Sequence, residues 1–155
     1  MKKTNKGFSL VELIIVIAIM AILAGALAPA LIKYINKSRA SAAVSNGQQI
    51  ASAIQTALSN ESVFDCTSDF SASNYSAWVN GNTELAKEVK RTLGGNGTHK
   101  CKKTLAGSTL STSENGYIVK VKTQPTGTDN MVEVYVGKDN ADYMVYPTMG
   151  KEWKD

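Results

Sequence analysis

The chain has 155 residues, of which 43% are hydrophobic and 19% charged, and its formal net charge is +4. This length provides for one ordinary domain and an additional segment. Because Lys2, Lys3 and Lys6 contribute three of those positive charges, the net charge does not indicate a nucleic-acid-binding surface. The sequence shows no Ser/His/Asp or Cys/His arrangement, so it predicts no enzyme, no cofactor and no small-molecule substrate.

A long apolar run follows the basic N-terminal segment. Residues 13–32 contain no charged side chain, and about 20 residues of helix span roughly 30 Å, the thickness of a hydrocarbon core. Helix is expected here despite the β-branched residues, because in lipid a helix satisfies its own backbone polar groups. The lysines ahead of the run predict that the N-terminus stays in the cytoplasm and that the C-terminal part is exported.

A helical stripe continues the apolar run. Between positions 43 and 58, apolar residues recur every three or four positions. We therefore predict one helix over residues 8–60, which spans the membrane over 8–32 and is amphipathic beyond that. Pro29 lacks a backbone donor, so we expect a kink or a loosened turn between Gly25 and Pro29. The predicted stripe consists of Ala43, Val44, Gly47, Ile50, Ala51, Ile54, Ala57 and Leu58.

The rest of the chain predicts a loop region followed by a sheet. Residues 61–116 are rich in Ser, Asn, Thr and Gly, with one short helical pattern over 83–93. Within residues 117–155, alternating segments separated by turn residues predict at least three antiparallel strands. We expect the amphipathic helix to cover one face of this sheet, which makes the fold class α+β. The strands are predicted at 117–122, 131–136 and 143–147, and the covered face at Ile118, Val132, Val134 and Val136.

Two cysteines, Cys66 and Cys101, lie in the predicted loop region. In an exported domain we expect them to form one disulfide, which would close a loop of about 35 residues and contribute about 3–4 kcal/mol. Two free thiols are the alternative. A zinc site that included His99 would be short of ligands, so no metal site is predicted from these residues.

The stretch KGFSLVELIIVIAIMAILAGALAPALI, at residues 6–32, resembles the N-terminus of type IV pilins and pseudopilins. In that family a short basic leader ends in glycine, which here would be Gly7. A membrane aspartyl peptidase cuts after it, and the next residue, here Phe8, is N-methylated. The resemblance covers about residues 1–35, identifies 1–7 as the leader, and matches the family's glutamate and its frequent proline to Glu12 and Pro29.

Glu12 also has a physical reason for its position. A carboxylate in the membrane costs about 2.5–3.5 kcal/mol on insertion scales, and near a helix start the helix N-terminus or a cation can compensate it. Cleavage after Gly7 would create such a cation at the Phe8 amine. If subunits stack helically, Glu12 of one subunit can pair with the amine of a neighbour, which is the role that the family assigns. The alternative is that Glu12 reaches the lipid headgroups.

The resemblance implies the major structural subunit of a type IV pilus. Such a subunit is a single-pass precursor in the cytoplasmic membrane and then polymerises into a helical filament at the cell surface. The implied roles are adhesion, twitching motility or biofilm formation. The implied partners are other copies of the chain, the membrane, the prepilin peptidase/methylase, the assembly platform and its ATPases, and candidate minor pilins.

Two other functions stay open. One is a pseudopilin of a type II secretion or DNA-uptake system, which a calcium loop at Asp139, Asn140 and Asp142 would favour, although a plain turn is the simpler interpretation. The other is a monomeric secreted binding domain with an ordinary signal peptide, cut at the small residues 24–26. Against the second, a signal peptide has no use for Glu12.

Overall fold

The computed structural model describes residues 7–72, 74–94, 116–127, 129–137 and 141–153. The chain divides into two compact units, Met1–Lys37 and Ser38–Asp155. Helix α1, Leu10–Leu58, begins in the first unit and ends in the second. A four-stranded antiparallel sheet lies in the second unit, so the predicted α+β class is confirmed.

The C-terminal part of α1 buries the predicted stripe. All eight predicted stripe residues are buried, and Ala53 is buried with them. The spacing of three and four residues brings these side chains to one side of the helix, because the α-helix has 3.6 residues per turn. They form the core of the second unit together with the buried valines of the sheet.

The sheet is a meander in which each strand pairs with the next. Among the described residues, all three pairings are antiparallel, and their order leaves β1 and β4 at the two edges. The strands are β1 Phe70–Ala72, β2 Tyr117–Val121, β3 Val132–Val136 and β4 Met144–Tyr146. Short 3-10 turns, Ala141–Tyr143 and Lys151–Trp153, precede and follow β4.

The predicted core face of β2 was wrong by one residue. Tyr117, Val119 and Val121 are buried, whereas Ile118 is only half-buried. Ile118 pairs with Tyr135 in the register, and side chains of a strand alternate between its faces. Ile118 therefore lies on the face opposite the valines of β3 that it was expected to join, on the same face as Lys120. The lysine at position 120 was the signal for the outer face.

Two close contacts join the helix to the sheet within the second unit. The Tyr117 hydroxyl donates a buried hydrogen bond of 2.9 Å to the Ala43 carbonyl. Gly47 lies against Val145 of β4, where a Cβ on residue 47 would approach the Val145 Cβ to 3.2 Å. A glycine on the buried stripe thus permits the close approach of α1 to the sheet.

The region predicted as mainly loop contains several short elements. Helices α2 Glu61–Asp65 and α3 Tyr75–Val79 and strand β1 were not predicted. Helix α4, Glu84–Thr92, falls within the predicted 83–93. The side chains of Asn60, Asn74 and Thr83 accept backbone N–H groups at the starts of α2, α3 and α4, as N-cap residues do.

A carboxylate connects the start of β1 to the end of β2. Asp69 accepts hydrogen bonds from the Thr123 backbone N–H and hydroxyl, at 2.7 and 2.8 Å. Hydrogen bonding to the backbone N–H and then to the hydroxyl lowers the pKa of Asp69. The neighbouring Lys122 pairs with Asp129 at 2.6 Å across the β2–β3 connection.

Candidate assembly segment

The N-terminal half of α1 presents a large apolar surface. No side chain from Phe8 to Ile35 is buried, and Phe8 itself is 83% exposed. Within the described residues, α1 is the helix long and apolar enough to cross a membrane, and no residue of its most apolar stretch is buried. Soluble proteins rarely expose an apolar surface of this size unless it meets a membrane or a partner. This excludes the ordinary core helix of a soluble domain as the explanation.

Glu12 and Ser9 form a capping box at the start of α1. The Glu12 carboxylate accepts the Ser9 backbone N–H at 2.9 Å, and the Ser9 hydroxyl accepts the Val11 backbone N–H at 3.3 Å. The first helical hydrogen bond runs from Leu13 to the Ser9 carbonyl at 3.2 Å. Two backbone donors that a helix start leaves without partners are thus satisfied inside the chain.

Ser9 was not among the predicted site residues, although the S-x-x-E signature at positions 9–12 precedes an apolar run. The capping box gives Glu12 a second explanation besides the predicted pairing with the Phe8 amine of a neighbour. Its carboxylate stabilises the helix start in a single chain, and an acidic group in the first turn also interacts favourably with the helix dipole. Experiments on Glu12 must therefore separate helix capping from charge pairing.

Pro29 lies inside α1, which continues through it. In an α-helix the N–H of residue 29 would bond the carbonyl of residue 25, and proline has no such N–H. The carbonyl that loses its partner is thus that of Gly25, a residue with open space around it. Glycine and proline both disfavour a helix interior, so we expect the helical stability of this half of α1 to be lowest between Gly25 and Pro29.

Several predicted residues lie outside the described part of the chain. Cys66 is exposed, but Cys101 is not among the described residues, so the disulfide stays a prediction. His99, Asp139 and Asn140 also lie outside them. Within the described ranges, no three His, Cys, Asp or Glu side chains lie together as a metal site would require.

The chain has an α+β fold, and its helix α1 begins with an exposed apolar segment that carries Glu12 in the first turn. In these features it resembles a type IV pilin. Residues 2–28 match the family described as the prokaryotic N-terminal methylation motif. This match includes Gly7, Phe8 and Glu12 and ends one residue before Pro29.

The curated relatives agree with this class. The type IV major fimbrial protein FimA of Dichelobacter nodosus is 39% identical over 82 residues, which are 52% of this chain and 53% of that protein. Another FimA of the same organism is 45% identical over 58 residues, 37% of this chain and 36% of that protein. The chain thus spans about half the length, or less, of the curated relatives it matches. No solved structure matches it. In its N-terminal motif and in these relatives, the chain is thus similar to type IV pilins.

Proposed function

We propose that this chain is the major structural subunit of a type IV pilus. It is made as a membrane-anchored precursor, cut between Gly7 and Phe8, methylated at Phe8 and polymerised into a surface filament for adhesion, twitching motility or biofilm formation. The observation that carries the proposal is the exposed apolar surface of the N-terminal half of α1, with Glu12 at its start. The N-terminal methylation motif over residues 2–28 supports the same processing.

The exposed segment suits transfer from lipid into a filament core. Helices in lipid gain little hydrophobic free energy by associating, so their contacts depend on side-chain packing and on polar pairs. Glu12 supplies one such polar group, and the Phe8 amine of a neighbour would be its cation after cleavage. A head-to-tail pairing of this kind repeats without closing, which gives an open helical assembly.

The first test is the N-terminus and mass of the protein recovered from sheared surface material. A chain that begins at methylated Phe8 in sheared filaments is the expected result. A chain that begins at Leu27, or that occurs only as a soluble monomer, would mean an ordinary secreted domain. Correct processing without abundant surface filaments would favour a pseudopilin.

A matched set of variants then assigns the role of Glu12. Glu12→Gln removes the charge, but its amide oxygen can still accept the Ser9 N–H of the capping box. Ser9→Ala removes the hydroxyl cap and keeps the charge. Charge pairing with a neighbour predicts that Glu12→Gln abolishes surface filaments and that Ser9→Ala leaves most of them. If Ser9→Ala abolishes surface filaments and Glu12→Gln retains them, Glu12 acts as a helix-capping residue. If both variants and Glu12→Ala assemble fully, Glu12 merely reaches the lipid headgroups.

A further inference from the structure

A surface pocket of about 390 Å³ lies beside the edge strand β1 in the second unit. Phe70 and Trp78 form part of its lining, and their rings stack with centroids 5.1 Å apart. Buried Leu85 adds a third apolar side chain, and Cys66 and Glu84 also line the pocket. Its volume lies within the range of pockets that bind ligands or partner side chains.

The same unit carries an apolar side chain that fits such a pocket. Among the described residues after Lys37, the exposed large hydrophobic side chains are Met131 and Met149, which are 37% and 38% exposed. Met149 follows β4, and the hydrogen bond from the Gly150 N–H to the Met144 carbonyl, 2.9 Å, holds its loop against that strand. Methionine is flexible and its sulfur contacts aromatic rings favourably.

The pocket and Met149 belong to opposite edges of one sheet. Strands β1 and β4 are separated by two strands, so they lie about 14 Å apart. A projecting side chain at one edge and a pocket at the other make a heterologous contact, which repeats along an assembly instead of closing a dimer. Exposed Lys151 comes two residues after Met149. Glu84 lines the pocket and already pairs with Lys87 at 2.8 Å, but its side chain remains 60% exposed, so its carboxylate can accept a second cation.

We propose that Met149 of one copy inserts into the pocket that Phe70 and Trp78 line in a neighbouring copy, as a lateral contact between the globular units of the filament. This inference rests on the proposed function, because polymerisation through α1 is what brings the two surfaces to a high effective concentration. The contact adds a second, sheet-to-sheet connection to the one that the apolar helices make.

The native Cys66 in the pocket allows a direct test by crosslinking. In a Cys101→Ser background, Met149→Cys places a second thiol on the β4 loop, and sheared filaments are oxidised with copper phenanthroline. We expect a ladder of covalent multimers on non-reducing gels, with the disulfide between position 149 and Cys66 identified by mass spectrometry. Met131→Cys is the matched control, because its side chain is equally exposed, and we expect about tenfold less crosslinking from it.

Crosslinking within one chain does not confuse this result, because only a disulfide between chains produces covalent multimers on a non-reducing gel. Filaments that form normally but crosslink no more through position 149 than through position 131 would overturn the inference and leave the proposed function intact. Absence of filaments from the unsubstituted chain would instead refute the proposed function, and the lateral contact with it.

A second pair of variants covers the case in which the cysteine substitution itself prevents assembly. In the otherwise unaltered chain, Met149→Leu keeps an apolar side chain of similar size, whereas Met149→Gln is polar. We expect the leucine variant to retain the yield of sheared filaments and the glutamine variant to lose about tenfold, the order of effect of a buried interface anchor. Equal yields from the two variants would contradict the contact.

Discussion

The close approach of α1 to β4 at Gly47 allows a test in which two effects of known size oppose each other. Replacing Gly47 by alanine should stabilise the helix by about 1 kcal/mol, because glycine costs that much in a helix interior. The added Cβ, however, would lie 3.2 Å from the Val145 Cβ, closer still to one of its methyl groups, and 3.5 Å from a ring carbon of Tyr117. Val145 is 2% exposed and β-branched, so it has little room to move.

Overpacking of this kind costs about 1–3 kcal/mol. With a middle value of about 2 kcal/mol for the steric cost and about 1 kcal/mol for the gain in helix propensity, we expect Gly47→Ala to lower the free energy of unfolding by about 1 kcal/mol. The assay is urea unfolding of the full chain in detergent micelles, followed by tryptophan fluorescence, since Trp153 is only 6% exposed. A loss of about 1 kcal/mol shifts the midpoint by about 0.3–1 M urea.

The decisive control is the double variant Gly47→Ala/Val145→Ala. Without the valine methyl groups most of the steric cost disappears, because only the approach to the Cβ of residue 145 at 3.2 Å remains. In the Val145→Ala background Gly47→Ala should therefore stabilise the chain, by no more than about 1 kcal/mol. The two backgrounds then differ in sign, with a coupling energy of up to about 2 kcal/mol. A coupling energy below about 0.5 kcal/mol, or stabilisation by Gly47→Ala alone, would refute the steric argument.

Three smaller predictions concern hydrogen bonds. Tyr117→Phe removes the buried hydroxyl that donates to Ala43, and urea unfolding should show a loss of about 0.5–1.5 kcal/mol, since the carbonyl keeps its helical partner. Because hydrogen bonds lower the pKa of Asp69 below its ordinary 3.8, its contribution to stability is present above that pH and is lost as the pH falls through the lower folded value. The acid-unfolding profile of Asp69→Asn should lack this pH-dependent contribution. Identical profiles for the variant and the unsubstituted chain would show that Asp69 makes no such contribution. Ser9→Ala should weaken the start of α1 by about 1 kcal/mol, seen as faster amide exchange in the first turn but not at residues 20–24.

The candidate assembly segment could be predicted almost entirely from the sequence. The apolar run, the residues around Gly7 and the carboxylate at Glu12 are contiguous, so their pattern is visible without any tertiary contact. The role of Ser9 was not predicted, although the S-x-x-E signature that it forms with Glu12 is also local in the sequence. The pocket lined by Phe70 and Trp78 was not predicted, since its lining comes from a strand, a helix and the start of another helix.

The region between α1 and the sheet shows the opposite case. Helix α3 has five residues and strand β1 has three, and elements this short have almost no stability of their own in water. Their formation depends on burial of Tyr75 and Val79 in the core and on pairing of β1 with β2. Composition alone therefore indicated a loop, and only the fold revealed the order within it.

The sequence alone was enough to predict that α1 divides into an apolar half and a half with one buried stripe. Helical periodicity and bilayer thickness are local constraints, which a single segment meets or fails on its own. Tertiary structure decided which face of β2 is buried, how Tyr117 and Gly47 join the helix to the sheet, and which edge of the sheet carries the pocket. These depend on strand register and on contacts between residues up to about a hundred positions apart. A one-residue change in register reverses every side chain of a strand.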